Sequence, residues 1–93
     1  MATTTVDIGT LIYKDPAMHG GKPCIAGTGT TVLAIVDMFE QGATPLEIQR
    51  RLYGLPLDGI FAALAYWQAN REEIDEWFRL DAEAHDRMFG QAD

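Results

Sequence analysis

Leu57-Asp-Gly-Ile-Phe-Ala-Ala-Leu-Ala-Tyr-Trp67, followed shortly by Asn70-Arg-Glu-Glu-Ile-Asp-Glu-Trp-Phe-Arg79, is the stretch on which the fold turns. In the first run Leu57, Ile60, Phe61, Leu64 and Trp67 recur at the spacing of one helix face. Asp58, Ala62, Ala65 and Ala69 fall on the other side, so the pattern predicts a helix over 57–69 with that stripe buried. The second run opens another amphipathic helix over 71–89, whose apolar members are Ile74, Trp77, Phe78, Ala84, Met88 and Phe89. Glu72 and Glu73 suit the positive end of its dipole and Arg87 the negative end. Gly90 is the expected stop.

Working outward, Val32, Ile35, Val36 and Phe39 form another apolar face, capped by Thr31 and ended by Gly42, which predicts a helix over 32–41. Thr44-Pro45-Leu46-Glu47 places Thr at the N-cap, Pro at the first helical position and Glu three residues on, a capping box that starts a helix over 45–53. Before these, Leu11–Tyr13 and Cys24–Ala26 are short extended runs joined by the turn-rich His19-Gly-Gly-Lys-Pro23. They predict a β-hairpin too short to stand without helices packed on it.

The expectation is a mainly α fold with a short N-terminal β-hairpin and a helix–turn–helix core extended by a C-terminal helix. A flexible segment, 1–10, precedes one domain, 11–93, made of hairpin 11–31, helical core 32–70 and acidic C-terminal helix and tail 71–93. Val32, Ile35, Val36, Phe39, Ile48, Leu52, Ile60, Phe61, Leu64 and Trp67 are its expected centre.

A chain of 93 residues, 47% apolar and 23% charged, suits one modest core. No apolar run nears the roughly 20 residues that span a bilayer, so no membrane partner is expected. The N-terminus lacks the basic and apolar regions of a secretory signal. A single cysteine fits a reducing cytoplasm. Charge is uneven: residues 1–70 carry six acids and four bases, whereas 71–93 carry eight acids and three bases. Nucleic acid should be repelled by that acidic end.

Chemical motifs are few. The Gly21-Lys22 pair fails as a phosphate loop, because Pro16 stands where its first Gly belongs and Pro23 where Ser or Thr should follow. Cys24, His19 and His85 show neither nucleophile–base proximity nor zinc-ligand spacing, and Glu72, Glu73, Asp75 and Glu76 read as a solvated helix face. No catalytic residue, metal or cofactor is expected, and the chain reads as a non-enzyme. Thr44 to Trp67 has helix–turn–helix form in a homeodomain-like arrangement. Its second helix holds no Arg or Lys, so only Gln68 and Asn70 could read a base edge, with Lys22, Arg50 and Arg51 on phosphates.

Ile12-Tyr-Lys-Asp-Pro16, Gly20-Gly-Lys-Pro-Cys-Ile-Ala-Gly-Thr28, Val36-Asp37, Gly42, Glu47-Ile48, Ala62-Ala-Leu-Ala-Tyr66 and Arg71-Glu-Glu-Ile74 resemble, in order, family 433 of the domains of unknown function. The resemblance implies a short β-element before a homeodomain-like, usually dimeric, helical core. Some members look like VapB-type antitoxins, which neutralise a PIN-domain ribonuclease toxin and bind operator DNA. The alternative is a dimeric protein-interaction module without DNA binding or catalysis. Where the family commonly has Arg after Gly-Thr, this chain has Gly29. The last helix brings more large apolar side chains than so small a core needs. Trp77, Phe78, Met88 and Phe89 are therefore expected to meet a partner or second copy, with Asp81, Glu83 and Asp86 as an acidic rim.

Overall fold

The computed structural model describes residues 5–89, with side chains to residue 88. The hairpin forms as β1 (Ile12–Tyr13) and β2 (Cys24–Ile25), antiparallel, with Ile12 opposite Ile25 and Tyr13 opposite Cys24. The Tyr13 hydroxyl donates to the Thr28 carbonyl at 3.1 Å, which fastens the first strand to the loop beyond the second. Just before β1, Ile8–Leu11 makes one 3-10 turn, begun by Asp7 accepting from the Gly9 N–H at 2.9 Å. Residues 8–10 of the expected flexible lead, 1–10, therefore have structure; Met1–Thr4 of that lead lie outside the described residues.

Four helices follow: α1 (Val32–Glu40), α2 (Pro45–Arg51), α3 (Leu57–Ala69) and α4 (Arg71–Phe89). The Thr31 Oγ1 accepts from the Ala34 N–H at 3.2 Å. At α2 the capping box closes in both directions, Glu47 N–H to Thr44 at 3.2 Å and Thr44 N–H to Glu47 at 2.9 Å. α2 ends at Arg51, two residues earlier than its pattern suggested. The Gly54 N–H reaches back to the Gln49 carbonyl and the Tyr53 N–H to Arg50, the paired bonds of a Schellman stop. Tyr53, not glycine, holds the left-handed position of that stop, with φ 55°. Gly90, the expected stop of α4, is outside the described residues.

α3 lies at the centre, touching α1, α2 and α4 on one side and β1, β2 and the 3-10 turn on the other. That double burial corrects the expected stripe. Gly59, Ile60, Ala62, Ala63 and Trp67 are buried, whereas Phe61 is 54% exposed and Leu64 only half-buried. The reason is spacing. A Cβ on Gly59 would sit 2.5 Å from Ile25 Cγ2, so the strand approaches too closely for anything but small residues. Phe61, two residues on, lies about 200° round the helix from Gly59 and so faces outward. Phe39 is corrected too: it is 40% exposed at the end of α1, touching the core only by an edge-on contact with Trp67 at 6.1 Å. Leu52 is half-buried against the core, while Leu33, Ala43, Leu55 and Ile74 join its centre.

Asn70 makes the joint between α3 and α4. Its N–H and its side-chain amide both donate to the Tyr66 carbonyl, at 2.8 and 3.1 Å, and its own carbonyl accepts from Ile74 at 3.1 Å. One residue thus satisfies the end of one helix and the start of the next.

Candidate binding surfaces and family

Two polar clamps hold the first half of α4 to the body. Glu73 takes the Lys14 ammonium at 3.0 Å, the Trp77 indole N–H at 3.3 Å and the Tyr66 hydroxyl. Burial alone would raise the Glu73 pKa, but the hydrogen bonds from Tyr66, Lys14 and Trp77 outweigh it and hold the carboxyl below its ordinary value. The same bond to Glu73 raises Lys14, and burial followed by the facing carboxylate raises Tyr66. The second clamp is Lys22, which meets Asp81 at 2.8 Å and lies 5.8 Å above the Trp77 ring. Under both clamps Ile74 is fully buried, and Trp77 and Phe78 pack half-buried on the core.

Beyond Phe78 the helix keeps the Lys22–Asp81 pair to the body but buries no further side chain among the described residues. Every described side chain from Arg79 to Met88 is exposed, Leu80 at 39% and Met88 at 74%. Arg79 bridges Glu76 and Glu83, and Arg87 bridges Glu83 at 3.0 Å, a ladder that stiffens the helix along its own surface. Of the partner-binding set expected from sequence, Trp77 and Phe78 therefore dock on the body and Met88 stands in solvent. The Phe89 side chain is outside the described residues. Trp77 and Phe78 follow Ile74 by about one turn, so the packing of α4 on the core extends through them.

A second apolar surface was missed by the sequence reading. Ile8, Leu11 and Ile12 face Phe61, Ala62, Ala65 and Tyr66 across two adjoining hollows of about 350 and 370 Å³. Asp58 is the one charged side chain lining them. The outward Phe61 and Ile8, 54% and 67% exposed, form the borders. Its signal lies in the alanines: small residues at 62, 65 and 69 line the hollows where the 3-10 turn and β1 approach α3.

The residues expected to touch DNA are not gathered alike. Arg50 and Arg51 stand exposed at the end of α2. Lys22 is committed to Asp81, Asn70 to the helix joint, and Gln68 is exposed near the end of α3. Cys24 is 1% exposed, and burial pushes its thiol above the usual range. Among the described residues no three His, Cys, Asp or Glu side chains converge to hold a metal, and no helix is long and apolar enough to cross a membrane.

The family model "Protein of unknown function (DUF433)" matches residues 12–67, from β1 to the last buried turn of α3. The chain belongs to the DUF433 family. A crystal structure of a DUF433 member protein from Anabaena variabilis ATCC 29413 is similar at 32% identity and a TM-score of 0.65. The similarity covers 71% of this chain and 65% of that one, so the shared part spans less than two thirds of that protein. No curated protein matches the chain. All of α4 lies beyond the residues matched to DUF433. Gly29 lies within them, and a Cβ there would meet only His19 Nε2, at 4.0 Å.

Proposed function

We propose that this DUF433 protein is a non-catalytic binding module of the antitoxin type, using the outer half of α4 to hold a partner protein. The observation that carries the reading is the run Arg79–Met88, exposed throughout and still carrying Leu80 and Met88. A helix gains most of its stability from packing an apolar face, so a helical arm in water is marginal on its own. VapB-type antitoxins, which some members of the family resemble, neutralise a PIN-domain ribonuclease, and such a toxin is the partner proposed for this helix. Asp81 and Glu83 are already paired, so Asp86, with no ion pair among the described residues, would favour a basic surface on that toxin. A second copy is the partner proposed for the Phe61 groove, whose near absence of charge lets two molecules of formal charge −7 approach there.

Operator binding, the other antitoxin task, has less behind it. Lys22 is paired, α3 carries no cation, and of the cations expected to touch DNA Arg50 and Arg51 are the ones left exposed. Light scattering on the full chain and on a chain ending at Ala82 tests the proposal. The shorter chain should keep the homodimer and lose capture of a co-expressed PIN-domain protein. Equal capture by both chains would remove the outer half of α4 from the account.

A further inference from the structure

The two hollows beside α3 share Ile8, Ala62 and Ala65, so they form one trough along the helix. It runs from Asp58 and Phe61 to Ala69 and Asn70, about 16 Å of helix. Asp58, Phe61, Ala62, Ala65 and Ala69 follow one another at the spacing of one helix face. Phe61 and Ile8 stand out at its borders, and Ala65 and Ala69 are exposed along its floor. A trough open along its floor suits a flat apolar surface better than an enclosed small molecule. Its one charged lining side chain, Asp58, accepts from the Gly59 N–H at 2.7 Å.

Resting on the reading that a second copy occupies this trough, we propose that the two α3 helices cross antiparallel on a two-fold axis at Ala65, each Phe61 entering the other copy's hollow beside Ala69. Shape makes the trough its own complement. The projecting ring of Phe61 lies four residues before Ala65, and the hollow lined by Ala69 and Ile12 lies four residues after it. A two-fold axis at Ala65 sets each ring over the other hollow, the reciprocal contact that an isologous interface requires. A small side chain at the crossing point lets the helices come close. Charge sets where the copies meet and in which direction. Chains of formal charge −7 repel one another, most strongly through residues 71–93, where eight acids stand against three bases. The trough is lined by one acid. Parallel helices would set the two Asp58 carboxylates side by side. The antiparallel crossing leaves them about 20 Å apart along the helix, beyond the screening length of roughly 8 Å at physiological salt.

Sedimentation velocity on the full-length chain over a concentration series gives the dimer dissociation constant. Phe61→Ala should raise it at least about tenfold. Ala65→Glu and Ala65→Lys each set like charges face to face on the axis and should each raise it by a similar factor. Ala65 is exposed and both replacements are good helix formers, so an unaltered circular dichroism spectrum separates loss of association from loss of fold. Mixing decides the geometry. The Ala65→Glu and Ala65→Lys chains, combined in equal amounts, should associate at least about tenfold more tightly than either does alone, because opposite charges then meet on the axis. A native dimer that these changes leave intact, or a mixture no tighter than its components, would overturn the crossing at Ala65 while a second copy still binds elsewhere. A native chain that stays monomeric throughout the series would overturn the crossing and the second-copy reading together, and leave the trough to a different apolar partner.

Discussion

α3 and α4 are consecutive helices joined at one asparagine, yet they meet solvent in opposite ways. α3 is pressed from both sides, so its buried positions go to Gly59, Ala62 and Ala63 as well as Ile60 and Trp67, and Phe61 faces outward. α4 is pressed from one side only, and only as far as Phe78. Past the Lys22–Asp81 pair, its later residues are held by charge pairs along the helix. The difference teaches where stability and recognition are kept: the first helix holds the domain together, and the second reaches away from it.

The sharpest break of that comparison is in the core. Ile60→Ala, at a fully buried position, should cost about 2–5 kcal/mol in chemical unfolding. Met88→Ala, at a 74% exposed one, should stay within about 0.5 kcal/mol. Gly59→Ala comes next. Its new Cβ would meet the branched side chain of Ile25 at 2.5 Å, and such overpacking costs about 1–3 kcal/mol, against a helix-propensity gain of about 1 kcal/mol. A net stabilisation measured by thermal melting would show that the strand does not press on α3 as described.

Much of this contrast was legible in the sequence, and the parts that were not have a common cause. Helix boundaries follow from local chemistry: Thr44, Pro45 and Glu47 announce α2 without help from the rest of the chain, and α3 and α4 fall on their expected residues. Which way α3 faces is a tertiary matter. Periodicity favours the side with the largest apolar residues, but a helix approached by a strand must put its smallest residues there. Phe61 was therefore misplaced, and the groove it borders went unseen. The Glu73 clamp was half legible. Glu73 and Trp77 are one turn apart, but Lys14 comes from 59 residues away, and no spacing rule joins them.

The clamp gives a smaller and pH-dependent test. Glu73→Gln should cost about 1 kcal/mol, since the acceptor of three donors becomes a weaker, uncharged one and Glu73 is partly open to solvent. With its folded pKa lowered, Glu73 binds protons less readily in the native state than in the unfolded one. Its contribution is therefore whole above the ordinary carboxylate range and is lost as pH falls through the lowered folded value. The acid limb of a stability–pH curve should flatten in Glu73→Gln. An unchanged limb would mean the clamp is not felt by the fold.

Two changes at turns should be smallest. Tyr53→Gly removes an L side chain from a left-handed backbone and should stabilise by up to about 1 kcal/mol, measured by denaturant midpoint. A loss instead would mean that the Tyr53 ring supports the fold. Gly29→Arg has open space around its Cβ and should leave the melting temperature unchanged. A marked drop would show that the loop in this DUF433 chain has closed over the position.

The central claim is that packing on the body ends near Phe78 and its last polar tie at Asp81, and the proposal is that the rest of α4 meets a partner. Amide hydrogen exchange on the isolated protein measures this most directly. The account predicts that amides of Ile60 to Leu64 open only with global unfolding, while those of Ala82 to Met88 exchange orders of magnitude faster and slow down when a partner is bound. Equal protection along both helices in the free protein would contradict it.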